Sequence, residues 1–127
     1  MKPETADYLA KARKDLGEAR QIIQIGLANV AARSTYYTAF HAAEALIFEW
    51  TGRVAKTHKG VRSEFARLTK DDPRVPKTVM AFLTQSYAYK EISDDSVDPD
   101  EVVTMTNAET AIFSAEAFLG RVAANLA

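Results

Sequence analysis

The chain has 127 residues, 47% of them apolar and 26% charged, ordinary globular usage that excludes a disordered or fibrous polypeptide. Its length suits one domain, read here as residues 1–127. A net charge of −1 and zero cysteines exclude a globally basic nucleic-acid binder, disulfides, thiolate metal sites and cysteine nucleophiles, and fit a cytoplasmic location.

Glu4, Asp7, Lys11 and Arg13 interrupt the apolar run that a signal peptide or membrane span needs, so neither is expected there. From about residue 3 to 26, Leu9, Ala12, Leu16, Ala19, Ile23 and Gly26 alternate steps of three and four, the stripe of a long helix. Every second member is Ala or Gly, so a neighbouring helix can approach closely. Asn29 begins a second helix, in which Tyr36, Phe40, Ala43, Ile47 and Trp50 repeat the spacing until Gly52 stops it. The two predict an antiparallel hairpin.

After a loop over residues 53–57, Val61, Phe65 and Leu68 predict a third helix ending before Pro73 and Pro76. A fourth runs from about residue 76 through Val79, Phe82, Leu83 and Tyr87. Asp98, Pro99 and Glu101 read as the N-cap, first-turn proline and capping-box acid of the last helix. Its heptad runs through Met105, Ala108, Ile112, Ala115, Leu119, Val122 and Leu126. No strand alternation, glycine-rich phosphate loop or repeat competes, so the expected fold is an all-α, up-and-down bundle of about five helices, three long and two short. Ile22, Ile25, Phe113 and Phe118 lie off these stripes; they widen the core-facing surface or form a second contact face, and a symmetric homodimer is expected.

Charge is uneven along the chain. Residues 53–77 hold eight bases against three acids, and Arg53, Lys56, His58, Lys59 and Arg62 are the candidate phosphate contacts. Residues 91–101 hold six acids and no base. At about 100° per residue, Arg33, Tyr37, His41 and Glu44 share roughly 80° of the second helix. A guanidinium, a phenol, an imidazole and a carboxylate so spaced can bind a phosphate or move a proton, or can satisfy one another and fix helix register. His41 and His58 have no third histidine to complete a metal site, and neither a metal nor another cofactor is expected.

The segment Arg33-Ser34-Thr35-Tyr36-Tyr37-Thr38-Ala39-Phe40-His41, with Gly52 and then Thr57-His58-Lys59-Gly60-Val61, resembles the HEPN domain, and in particular its small stand-alone prokaryotic members. The resemblance implies a helical bundle, commonly dimeric and often encoded beside a minimal nucleotidyltransferase in toxin-antitoxin-like pairs. Many members are metal-independent ribonucleases with an Arg-x(4–6)-His motif before the last helix. This chain reads Lys90-Glu91-Ile92-Ser93-Asp94-Asp95 there, with neither arginine nor histidine. Two substitute pairs exist: Arg33 with His41, seven residues between them, and Arg53 with His58, four between them but in the wrong element. Lys90 and Asp94 match the Arg-x-x-x-Asp-Tyr of the stand-alone subgroup, while Asp95 replaces its tyrosine.

Three functions follow from these residues. The first is a non-catalytic or weakly catalytic dimeric module that binds nucleotide or RNA phosphate and partners a nucleotidyltransferase. The second is a ribonuclease toxin, with the catalytic residues unknown. The third is a purely structural helical dimer. In the first, Asp94 on the loop before the last helix pairs with Arg33 or His41 and closes a polar pocket.

Overall fold

The computed structural model describes residues 1–126. They form five helices, α1 Pro3–Gln24, α2 Ala28–Thr51, α3 His58–Thr69, α4 Lys77–Asp95 and α5 Met105–Leu126, with no strand among the described residues. The expected all-α bundle is therefore the observed one. No helix among these residues is long and apolar enough to cross a membrane.

Local chemistry sets most of the boundaries. Gly26 takes the left-handed conformation, φ 81°, that lets a three-residue turn reverse the chain between α1 and α2. Gly52 does the same at the end of α2, at φ 72°, with its N–H donating to the Phe48 carbonyl at 2.8 Å. Thr57 caps α3, its Oγ1 accepting from the Gly60 N–H at 2.9 Å.

α2 is the axis of the bundle and touches each of the other four helices. Ala31, Ala32, Ala39, Ala42, Ala43 and Ala45 are all fully buried along it, and these small side chains let its neighbours come close on several sides. One apolar cluster joins all five helices through Leu9, Tyr36, Phe65, Leu83 and Phe118. Phe118, expected off the core stripe, is buried against Phe65 and Phe82, ring centroids 5.3 and 6.4 Å away. Phe113 and Ile25 are each 73% exposed.

Two expectations are corrected. Asp98 does not cap α5: its Oδ1 accepts from the Asp100 N–H at 2.9 Å in a turn, and the helix starts seven residues later behind Thr104. Thr104 Oγ1 accepts from the Asn107 N–H at 3.0 Å. The physical cause is Val103, which is buried and whose N–H donates to Asn29 Oδ1 at 2.8 Å, a bond that holds the β-branched Val102-Val103-Thr104 run outside the helix. The second correction concerns α4, which has 19 residues and runs on to Asp95, so four helices are long and only α3, with 12 residues, is short. Tyr89 and Ile92 in its added turns pack on Ala32, Val103 and Ala108, and Asp94 is tied to α2.

Candidate functional site

The polar stripe of α2 divides between two environments. Its N-terminal part faces α4. Arg33 Nε donates to Asp94 Oδ1 at 2.6 Å, and the same guanidinium lies 4.7 Å over the Tyr37 ring. Asp94 belongs to the last turn of α4 rather than to a loop, and there Lys90 Nζ lies 3.7 Å from Asp94 and 3.8 Å from Asp95. The Lys90 side chain is only 18% exposed, so its charge is held close to the protein.

The C-terminal part of the stripe faces α1. His41 Nδ1 donates to Glu44 Oε1 at 2.7 Å, and its Nε2 stands 3.6 Å from Asp15 Oδ2. Asp15, 6% exposed, also accepts from Lys11 Nζ at 3.1 Å through its other oxygen. A furrow of about 360 Å³ runs along this seam, lined by Lys11, Asp15, Glu18, Arg33, Ser34, Tyr37 and His41. Glu44 and Asp15, one at each nitrogen of the His41 ring, repel a phosphate oxygen. Among the described residues no group of three His, Cys, Asp or Glu side chains could hold a metal ion.

The basic segment also divides. Lys56 and Lys59 are exposed, and Arg53 lines a separate furrow with Glu64 and Arg67. His58 and Arg62, four residues apart on α3, turn inward instead. The His58 ring packs among Phe40, Tyr36, Tyr87 and Tyr37 at centroid distances of 4.8, 5.6, 5.8 and 5.9 Å. Its Nδ1 is 2.8 Å from the hydroxyl of Tyr36, which is fully buried. The Arg62 guanidinium stacks 4.0 Å over Tyr87, with Nη1 buried and without a hydrogen-bond partner. Lys90 approaches the same ring at 5.8 Å.

Tyr37 and Tyr87 thus join residues that the sequence separates into two candidate sites: Arg33 from one, His58 and Arg62 from the other, and Lys90 from α4. The electrostatics of the cluster are cationic. Burial, then the charges of Lys90 and Arg62, hold the His58 ring below the usual histidine range, against the opposing pull of Glu44 and Asp94. Burial pushes the Tyr36 phenol well above the usual range, opposed by the Arg62 guanidinium. Of the substitute nuclease pairs, Arg33 is engaged by Asp94 while His41 lies between acids, and Arg53 and His58 sit in different surroundings.

Sequence reasoning missed Asp15, whose place beside the α1 stripe and four residues after Lys11 was the available signal. It also placed Tyr36 and Tyr87 with the core. Tyr36 does pack there, but its hydroxyl reaches His58 across a gap of 22 residues.

The comparisons with known proteins agree with this architecture. The crystal structure of TT1696 from Thermus thermophilus superposes with a TM-score of 0.81 at 23% identity, covering 97% of this chain and 98% of that one, a likeness of fold. No curated protein matches the chain. The model of the HEPN domain matches residues 5–125, and on that match the chain belongs to the HEPN domain family.

Proposed function

We propose that the chain is a single-domain, non-catalytic or weakly catalytic module that binds the phosphate of nucleotide or RNA at the cationic cluster shared by α2, α3 and α4. The HEPN superfamily includes nucleotide-binding and RNase modules. The observation that carries the binding reading is the convergence of Arg33, Arg62 and Lys90 on Tyr37 and Tyr87, with the buried Arg62 Nη1 left unpaired beside a histidine that resists protonation. A phosphate group offsets the crowded positive charge and offers the Arg62 guanidinium an acceptor. Weak or absent catalysis is supported by the segment from Lys90 to Asp95, which holds neither the arginine nor the histidine that the resemblance to nuclease-type members leads one to expect there.

The module acts as a cytoplasmic homodimer beside a minimal nucleotidyltransferase in a toxin-antitoxin-like pair. The family resemblance supports the partner, and the exposed Phe113 and Ile25 support a contact between copies. Calorimetric titration with adenosine 5′-monophosphate and with a short RNA tests the binding. Affinity falls as salt rises and falls again in Lys90→Ala and Arg62→Ala; salt-independent binding, or affinity untouched by both substitutions, overturns the reading. RNA incubated without metal stays intact.

A further inference from the structure

Tyr36 and His58 form a hydrogen bond that links the core to the cationic cluster of Arg62 and Lys90, and its polarity decides what the imidazole offers a ligand. Two arrangements fit a 2.8 Å contact: the phenol donates to Nδ1, or Nδ1–H donates to the phenol oxygen. In the second, the phenol hydrogen needs another acceptor. Tyr36 is 0% exposed, its hydroxyl has no other acceptor among the described residues, and the nearby Arg62 has only N–H donors. The first arrangement leaves no phenol hydrogen buried and unpaired.

We infer that Tyr36 is a positioning residue: its hydroxyl donates to Nδ1 and holds His58 neutral with its proton on Nε2, so that the cationic cluster presents a phosphate oxygen with a fixed N–H donor rather than a base. Nε2 is the free nitrogen, for among the described residues only Nδ1 of this ring has a hydrogen-bond partner. A second proton, on Nδ1, reverses the Tyr36 bond and adds a charge beside Arg62 of α3 and Lys90 of α4. Glu44 of α2 and Asp94 of α4 are the acids that favour this proton, against Arg62 and Lys90, while Tyr37 and Tyr87 pack their rings against the imidazole. The burial that keeps the phenol protonated acts in the same direction as the two cations. A ring fixed this way cannot take a proton from a ribose hydroxyl through Nε2, which separates binding from cutting at the same residue.

The assignment of His58 to phosphate rests on the binding reading above, whereas its tautomer does not, and the experiment separates them. The chain has two histidines, so nitrogen-15 spectra of the ligand-free protein resolve both rings, with His41→Gln assigning them. From about pH 8 to about pH 6, His58 keeps a protonated Nε2 and an unprotonated Nδ1. Tyr36→Phe gives mixed tautomers and a ring that protonates more readily. A protonated Nδ1 in the natural protein overturns the inference, as does an unchanged spectrum in Tyr36→Phe; should that variant not fold, the natural spectrum alone decides.

With adenosine 5′-monophosphate as the probe, His58→Ala binds about tenfold more weakly, the loss of one charge-assisted hydrogen bond, and His58→Gln, which keeps a donor at that position, recovers most of it. The expected tautomer without phosphate binding leaves Tyr36 as a positioning residue and removes the phosphate role. Binding with the opposite tautomer does the reverse.

Discussion

The two histidines stand on adjacent helices, His41 within α2 and His58 at the start of α3, yet they occupy opposite electrostatic settings. His41 has a carboxylate at each ring nitrogen, Glu44 at 2.7 Å and Asp15 at 3.6 Å. His58 has a buried phenol at one nitrogen, aromatic rings around it and the cations Arg62 and Lys90 nearby. The same side chain is therefore a fastener between α1 and α2 in one place and part of an aromatic and cationic cluster in the other. Residue type alone does not say which, and the neighbours supplied by other helices do.

The comparison can be broken first at its aromatic support. Tyr36→Ala removes a fully buried ring and should cost about 3–5 kcal/mol in urea unfolding, a loss of core packing as well as of the His58 bond. A change below about 1 kcal/mol would show that the ring does not organise the cluster around His58. Next comes the charge contrast. Arg62→Ala and Lys90→Ala should each weaken phosphate binding about tenfold, close to 1.4 kcal/mol, while Asp15→Asn on the other seam leaves it unaltered. Equal effects at both seams would erase the distinction.

A smaller effect sharpens the boundary between the two settings. Arg33 and Asp94, with side chains 38% and 28% exposed, should show a coupling of about 0.5–1 kcal/mol in a double-mutant cycle, reduced by salt because solvent screens them. The smallest concerns pH. The folded His58 ring is harder to protonate than the unfolded ring, so unfolding takes up a proton below the ordinary value of 6.5. Its contribution to stability is complete above that pH and is lost as pH falls below it. In His58→Gln the stability curve should be flatter just below pH 6.5, which urea midpoints across that interval would reveal.

Most of the fold was legible because spacings of three and four mark the buried face of each helix, and Gly26, Gly52 and Thr57 mark ends whose chemistry is local. The start of α5 was not, because the decisive contact is the Asn29 side chain 74 residues from Val103. The acids at 98–101 carried a helix-start pattern that a distant hydrogen bond overrode. The candidate site was half legible for the same reason. A helical wheel groups Arg33, Tyr37, His41 and Glu44, but cannot show that α1 sets Asp15 against His41 or that α3 swings His58 and Arg62 under Tyr37 and Tyr87. Side chains from two separate patterns meet around Tyr37 and Tyr87, and one stripe faces two different helices.

Because α2 lies against every other helix, no outer helix can leave without stripping part of its cover. Local opening of the kind that lets one foldon exchange its amide hydrogens ahead of the rest should then be confined to the helix ends and connectors. The amides of α2 from Ala31 to Ile47 should exchange only through global unfolding, as a single slow group, while the chain from Val97 to Val102 exchanges within the dead time up to the anchored amide of Val103.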